Sequence, residues 1–373
     1  VLMLPFVLKI LIGILSDKVN LLRLGHRKPY MILGLLMQSA GFFLVPFVSP
    51  VVNPGLFALV SLLAVTGMAT YDTATDGYAL DTTPAAEQGR VQGLMVTGRA
   101  LGLFVLTPLI GTTVKAFGWT VIFTGGALIL LLPLGLVLCV REDPAACSRA
   151  PFQWRAFRGL ASPHRLFFSL FGALSALVIM SLPPFLNLYF TGKDAPYLGI
   201  GMGAAGWIFL VMGLGRVAGA LVAGRITDRI GLYRSTWLCL GLTGIACFGV
   251  AALTGLALPM VARPAALAHP AVIALVLAGF LLSVGYSYYD TVYFCGAMRL
   301  AEPAVYASMY ALFMAAGNIG AALGQPLTGA IAGHPALGFP VAALVVGLIN
   351  LLNIPLVVRV FGTHLSAAQP IKE

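Results

Sequence analysis

A six-residue pattern occurs twice in this chain, 211 residues apart: Gly13-Ile14-Leu15-Ser16-Asp17-Lys18 and Gly224-Arg225-Ile226-Thr227-Asp228-Arg229. Tyr71-Asp72-Thr73 returns 218 residues on as Tyr289-Asp290-Thr291, and that offset also carries Pro108 and Gly111 onto Pro326 and Gly329. Two nearly equal offsets indicate one unit, duplicated with its internal spacing kept. The sequence around both copies is apolar, so the repeat predicts a duplicated bundle of membrane helices.

Hydrophobic residues make up 60% of the chain and charged residues 9%, against about 25% charged in a soluble domain. Apolar runs long enough to cross a bilayer recur along the chain, and a span needs about 20 residues. Eleven spans are expected: 1–15, 29–49, 55–80, 91–112, 119–140, 164–190, 200–223, 232–255, 270–297, 304–332 and 336–360. The first covers roughly 22 Å at helical rise, less than the hydrocarbon thickness of about 30 Å. The expectation is a chain that begins inside a helix, with no signal peptide in view.

The net charge of +10 could suit nucleic acid, but its placement does not. Sixteen of the 22 cations fall in alternate loops: Lys18, Arg23, Arg27, Lys28, Arg90, Arg141, Arg149, Arg155, Arg158, Arg165, Arg225, Arg229, Arg234, Arg299, Arg359 and Lys372. The opposite side holds Lys115, Lys193 and Arg263, while Lys9, Arg99 and Arg216 fall inside spans. Cytoplasmic loops carry the Lys/Arg excess. This puts the loops at 16–28, 81–90, 141–163, 224–234 and 298–303, and the C-terminus, in the cytoplasm. A multi-pass membrane protein is expected, monomeric, with a lipid bilayer and a small solute as partners and no nucleic acid.

The longest polar stretch, Arg141 to Arg165, divides five spans from six. The expected organisation is an N-terminal bundle over 1–140 (helices 2–6), a cytoplasmic linker over 141–163 and a C-terminal bundle over 164–373 (helices 7–12). The piece absent from a six-plus-six plan is then the first helix. Glycine is abundant, and runs such as Gly199-Ile200-Gly201-Met202-Gly203 suit close helix contacts and bends.

An Asp at a cytoplasmic helix end can lock two helices together, or face the positive N-terminus of a neighbouring helix. Contacts of that kind break when two bundles rock, so they act as a conformational latch. The candidates are Asp17, Lys18, Arg27 and Lys28 in one loop and Asp228 and Arg229 in the other. The two loops resemble the loop 2–3 and loop 8–9 signature of the major facilitator superfamily. The resemblance implies an all-α fold of two pseudo-symmetric six-helix bundles and alternating access.

A second set of charges lies within spans. Lys9, Asp72, Asp76 and Arg99 fall at similar depth, roughly 6–12 Å from the cytoplasmic helix ends at 1.5 Å per residue, and Asp72 and Asp76 share a helix face. In the second half Arg216 and Asp290 lie on the helices equivalent to those of Lys9 and Asp72. An ionisable group at that depth costs at least about 2.5–3.5 kcal/mol unless it is paired or wetted. Two readings stand together: a proton relay with an anion-binding site, or ion pairs that hold each bundle together. Asp76 is the favoured proton carrier, because Phe294 stands at its second-half counterpart. Tyr71, Asn187, Tyr189, Tyr289, Asn318 and Gln325 are candidates for contacting a hydrogen-bonding solute, or else interfacial tyrosines and helix–helix glue.

A membrane-embedded enzyme would need a nucleophile–base pair or a metal cluster inside the spans. All five histidines (His26, His164, His269, His334 and His364) fall in loops or at helix ends, and the five cysteines (Cys139, Cys147, Cys239, Cys247 and Cys295) show neither CxxC nor ligand spacing. No catalytic residue, metal, zinc site, disulfide or cofactor is expected.

The run Leu4-Pro5-Phe6-Val7-Leu8-Lys9, then Asp17 and Gly25-His26-Arg27-Lys28-Pro29-Tyr30, resembles the muropeptide permease family. So does Asp72-Thr73-Ala74-Thr75-Asp76-Gly77-Tyr78-Ala79-Leu80-Asp81 with Pro84, Glu87 and Gly89, followed by Arg99, Gly102, Gly118-Trp119 and Arg141-Glu142-Asp143-Pro144. The match covers most of residues 4–144. Where that family has Trp-x-Pro after the Lys, this chain has Ile12-Gly13-Ile14, and Tyr30 replaces a Trp. The family sits in a wider group of acetyl-coenzyme A carriers and siderophore importers. Membership implies a bacterial inner-membrane protein and proton-driven uptake of a polar, often anionic solute such as a cell-wall sugar-peptide fragment, with the proton gradient as energy source. Siderophore or acyl-coenzyme A transport remains open, as does a non-transporting receptor or assembly factor on the same fold.

Overall fold

The computed structural model describes residues 4–7, 9–21, 25–140, 142, 153–193, 196–262 and 264–362. Arg23, Arg141, Cys147, Arg149, Arg263, His364 and Lys372, with residues 143–152 of the linker, lie outside the described residues. Twelve α-helices are described: α1 Leu4–Val7, α2 Lys9–Lys18, α3 Lys28–Leu44, α4 Pro54–Thr82, α5 Gln88–Ile129, α6 Leu132–Cys139, α7 Pro163–Thr191, α8 Met202–Ala252, α9 Pro270–Leu300, α10 Tyr306–Ala332, α11 Gly338–Leu351 and α12 Asn353–Phe361. Short 3-10 turns join several of them, and no strand occurs among the described residues.

Eight stretches among these residues are long and apolar enough to cross a membrane. The difference from the expected eleven has three sources. The first expected span falls on α1 and α2, which are too short. The span at 91–112 belongs to the first part of α5, which does not qualify, while Ala116–Cys139 does. The spans at 200–223 and 232–255 run together in one stretch of 58 residues, Gly203–Met260. At 1.5 Å per residue that stretch is about 87 Å long, far more than one bilayer. It breaks at Gly231, whose φ of 81° lies in the region that glycine alone enters cheaply. Gly118, with φ 78°, breaks α5 in the same way. Leucines such as Leu132, Leu136 and Leu256 are more than 70% exposed, which is costly in water and natural against lipid tails.

The chain divides into two compact units. The first comprises Val1–Pro84, Val105–Ser162 and Ala297–Ala315; the second comprises Ala85–Phe104, Pro163–Gly296 and Ala316–Glu373. Within the first unit, α3 and α4 pack backbone to backbone. A Cβ on Gly34 would stand 2.5 Å from the Tyr71 nitrogen, and one on Gly67 would stand 2.3 Å from the Gln38 nitrogen. A small core of Tyr30, Met31, Leu35, Ala74 and Val137 fills the space beside them. The second unit has the larger core, built on Leu182, Leu186, Tyr189, Phe190, Ile208, Val250, Leu282 and Phe339.

Candidate functional site

In the first unit, α2 supplies one cation and α4 two acids. Lys9 Nζ donates to Asp72 Oδ2 at 2.5 Å and lies 3.4 Å from Asp76 Oδ2. Lys9 is 3% exposed and Asp76 2%, whereas the Asp72 side chain keeps 29% of its surface. The i, i+4 spacing on α4 brings both carboxylates to one ammonium. The group is one negative charge in excess when all three members are ionised.

Arg27, buried just before α3, gathers a second cluster. Its Nη1 pairs with Asp17 Oδ1 at 2.8 Å and donates to Ser16 Oγ at 2.8 Å, and its Nε donates to Asp81 Oδ2 at 2.7 Å. Burial works against the guanidinium's charge, but Asp17 and Asp81 outweigh it and hold the group above the ordinary arginine value. Asp17 also accepts from the backbone N–H of Ala307 at 3.2 Å and of Ser308 at 2.8 Å, and from the Ser308 hydroxyl at 2.6 Å. These amides belong to the first turn of α10, where helix N–H groups have no helical partner.

The second unit repeats that arrangement. Asp228 accepts from the backbone N–H of Gly89 at 2.9 Å and of Arg90 at 2.7 Å, in the first turn of α5. The recurring glycine of the motif explains how the Asp gets there. A Cβ on Gly13 would stand 2.8 Å from Ser308 Cα, and one on Gly224 would stand 2.7 Å from the Gly89 carbonyl oxygen. Each Asp lies four residues beyond its glycine, on the same helix face. The glycine permits the close approach, and the Asp uses it.

Two cations expected in the latch are engaged elsewhere. Lys18 Nζ sits 5.6 Å from the centre of the Trp154 ring. Lys28 Nζ donates to the carbonyls of Leu138 at 2.7 Å and Val140 at 3.1 Å, at the C-terminal end of α6, where helix carbonyls favour a cation. Arg229 is exposed.

Arg99 lies in the second unit, with Arg216 and Asp290. Its guanidinium lies 5.3 Å from the Phe294 ring centre, and Arg216 lies 3.9 Å from that of Tyr286. Both arginines are within electrostatic reach of Asp290. The physical reason is the seam between α5 and α8. A Cβ on Gly93 would stand 2.7 Å from the Ala220 carbonyl oxygen, so the start of α5 lies against α8 and Arg99 projects from it within this unit. This trio is one positive charge in excess.

The solute-contact candidates separate by burial. Tyr289 is 1% exposed and donates to Asn350 Oδ1 at 2.8 Å. Tyr189, equally buried, stacks on Phe339 at 5.3 Å. Both are core residues of the second unit. Tyr71 packs beside the small core of the first unit. Asn187, Asn318 and Gln325 are exposed.

Sequence reasoning missed the parts played by four residues. Asp81 is the second partner of Arg27, and its position five residues beyond Asp76 on α4 was the available signal. Glu142 accepts from the backbone N–H of His26 at 2.7 Å and of Arg27 at 2.8 Å, and also from that of Lys28. Tyr286 and Phe294, as platforms for arginines, left no signal beyond being aromatic.

A duplicated, all-helical membrane bundle with charges paired inside its helices defines a class of solute-translocating membrane proteins. The profile of the Major Facilitator Superfamily matches residues 1–265 and, in an overlapping second match, 195–372; the chain belongs to that superfamily. Among curated protein sequences none matches it. Solved structures similar to it include the Escherichia coli fucose:proton symporter FucP, at 17% identity, a TM-score of 0.70 and coverage of 95% of this chain and 89% of that one. A bacterial homologue of the iron transporter ferroportin, in an outward-facing state, gives 14%, 0.71, 96% and 87%. The human organic anion transporter MFSD10 gives 16%, 0.70, 95% and 81%. At these identities the likeness is one of fold. Superfamily membership makes this a multi-pass membrane transporter of small solutes and not an enzyme.

Proposed function

We propose that the protein imports a polar, anionic solute of the muropeptide type by proton symport across a bacterial inner membrane, working by alternating access with its C-terminus in the cytoplasm. The carrying observation is the Lys9–Asp72–Asp76 group, where two carboxylates share one buried ammonium. A single proton on either acid neutralises the group, and buried ionisable groups inside a membrane are as a rule parts of ion pathways. Asp76, the more buried acid, is the proposed carrier. The asymmetry between an acid-rich group in one unit and an arginine-rich one in the other supports a solute that brings negative charge. The similar fold of a fucose:proton symporter is compatible with this reading. Asp17 and Asp228 are the proposed latch, and the proton gradient is the proposed energy source.

The test is uptake of labelled anhydro-muropeptide into proteoliposomes under an imposed pH gradient. Gradient-driven uptake, lost in Asp76→Asn, supports substrate and carrier together. A folded protein that carries no muropeptide under any gradient sinks the substrate class. The same vesicles then go to siderophores and acyl-coenzyme A, the other solutes of the group this sequence resembles.

A further inference from the structure

Within the second unit, α10 shows two kinds of exposed surface. Gly320 and Gly324 turn one side of it to α7: a Cβ on Gly320 would stand 1.8 Å from the Ala173 carbonyl oxygen, and one on Gly324 2.6 Å from that of Leu177. Part of the remaining surface is apolar, with Ile319 60% and Leu323 57% exposed. The rest carries Asn318, Ala322 and Gln325, all exposed. At about 100° per residue these three share one face, and the two amides stand roughly 10 Å apart along the helix. Neither amide has a hydrogen-bond partner among the described residues. Both lie well inside α10, which runs Tyr306–Ala332: Asn318 is roughly 18 Å from one end and Gln325 roughly 10 Å from the other. A carboxamide facing hydrocarbon there would leave two donors and an acceptor unmet. Helices α8, α9 and α11, by contrast, expose leucine and isoleucine within their spans, at Leu238, Ile245, Ile273, Leu277, Leu344 and Leu348. The amide face is therefore not the ordinary lipid contact of this unit. It starts beside α9, where a Cβ on Gly317 would stand 3.6 Å from the Tyr293 ring, and Tyr293 follows the in-span Asp290 by less than one turn.

We propose that Asn318 and Gln325 line the aqueous path of the transported solute and bind its uncharged hydroxyl and amide groups, as specificity-determining residues. Each carboxamide offers N–H donors and a carbonyl acceptor, the complement of a sugar hydroxyl or a peptide bond. The small Ala322 keeps the surface between them low, so a solute of disaccharide size spans both. An apolar solute would displace water from the stripe and leave both amides unpaired, and discrimination arises from that unmet bonding. This inference rests on the transporter reading and deepens it. Charge alone does not separate one anion from another, and the stripe on α10 recognises the part of the solute that is not charged.

The test reads water access and solute contact at a thiol placed between the two amides. The full chain with Cys139→Ser and Ala322→Cys is reconstituted in proteoliposomes and treated with a charged methanethiosulfonate. Leu323→Cys in the same background is the lipid-side control, and the background without an added thiol is subtracted. Labelling of Ala322→Cys is expected to be at least about tenfold faster than that of Leu323→Cys, because hydrocarbon excludes a charged reagent. N-acetylglucosamine, an uncharged sugar with one amide, should slow that labelling severalfold. The slowing should vanish when Asn318→Leu and Gln325→Leu are added. Equal rates at the two thiols overturn the aqueous path and the proposal with it. Labelling that the sugar does not slow, or slowing that survives loss of both amides, overturns the contact. If the double leucine variant fails to fold, Asn318→Ala and Gln325→Ala, made singly, decide. Muropeptide uptake that fails while labelling and protection behave as expected removes the substrate class and keeps the stripe. Uptake that succeeds with Ala322→Cys unlabelled does the reverse.

Discussion

Glu142 stands three residues beyond α6 and closes the start of α3 by accepting three consecutive backbone N–H groups, those of His26, Arg27 and Lys28. These are orphan donors of a helix N-terminus, and a carboxylate there gains from the helix dipole as well. Glu142→Ala should cost roughly 1–3 kcal/mol by stranding them. Glu142→Gln keeps one acceptor oxygen and should cost less, and thermal unfolding in detergent ranks the two. Lys9 is under a different constraint. Replacing it with Met leaves two carboxylates facing each other in a buried place, and removal of one partner from a buried pair costs about 3–5 kcal/mol. Asp76→Asn should be far milder, because Asp72 still holds Lys9 at 2.5 Å. If Lys9→Met unfolds at the same temperature as wild type, the group is not held together by its charges. Arg27 needs no such caution with pH. Its folded value is raised, so the arginine's own charge is fully present below the ordinary arginine value and is lost only in strong alkali.

At the level of helices, the contacts are made by single small residues. Gly34 and Gly67 bring α3 and α4 together, and a Cβ on Gly41 would stand 2.6 Å from the Ala64 side chain. Gly67→Val would force the pair apart and should destabilise by roughly 1–3 kcal/mol. Gly55→Ala, at the start of α4 with nothing within 4 Å of its Cβ position, should leave Tm unchanged or slightly raised. Equal effects from the two would show that close packing is not what the glycines supply. The glycine runs were an uneven guide to such seams: a Cβ on Gly201 or Gly203 would meet nothing, whereas in the run Gly213-Leu214-Gly215 one on Gly215 would stand 2.9 Å from the Phe280 carbonyl oxygen. Close approach depends on which face of a helix meets which neighbour, and composition along one strand of sequence does not contain that. The long apolar helices themselves were legible, because hydropathy over a bilayer's length leaves little choice of structure. The break at Gly231 falls between the expected spans 200–223 and 232–255, at the polar run that separates them in the sequence.

For the molecule as a whole, the repeat foretold more than the depth of the charges did. Each compact unit takes one segment from the other half of the sequence: 85–104 joins the second and 297–315 joins the first. Those segments carry the helix starts that Asp228 and Asp17 face. The recurring motif placed both acids at helix ends, and a helix N-terminus was already among its readings. Arg99 was grouped by depth with Lys9, Asp72 and Asp76. Depth counts residues along an axis and says nothing of rotation about it, and the α5–α8 seam at Gly93 puts Arg99 in the second unit with Arg216 and Asp290. The exchanged segments make a prediction about cooperativity. Asp228→Ala removes charge-assisted bonds worth about 1.5–3 kcal/mol each, so the amides of Gly89 and Arg90 should exchange hydrogen at least about tenfold faster. Ala307 and Ser308 should stay protected in that variant, and Asp17→Ala should do the reverse, if the two sets act as independent sites, whose effects add. Exchange that rises at both helix starts after either single change would mean that the two acids act as one cooperative element. The pair would then have to be treated as a single switch rather than as two separate fastenings.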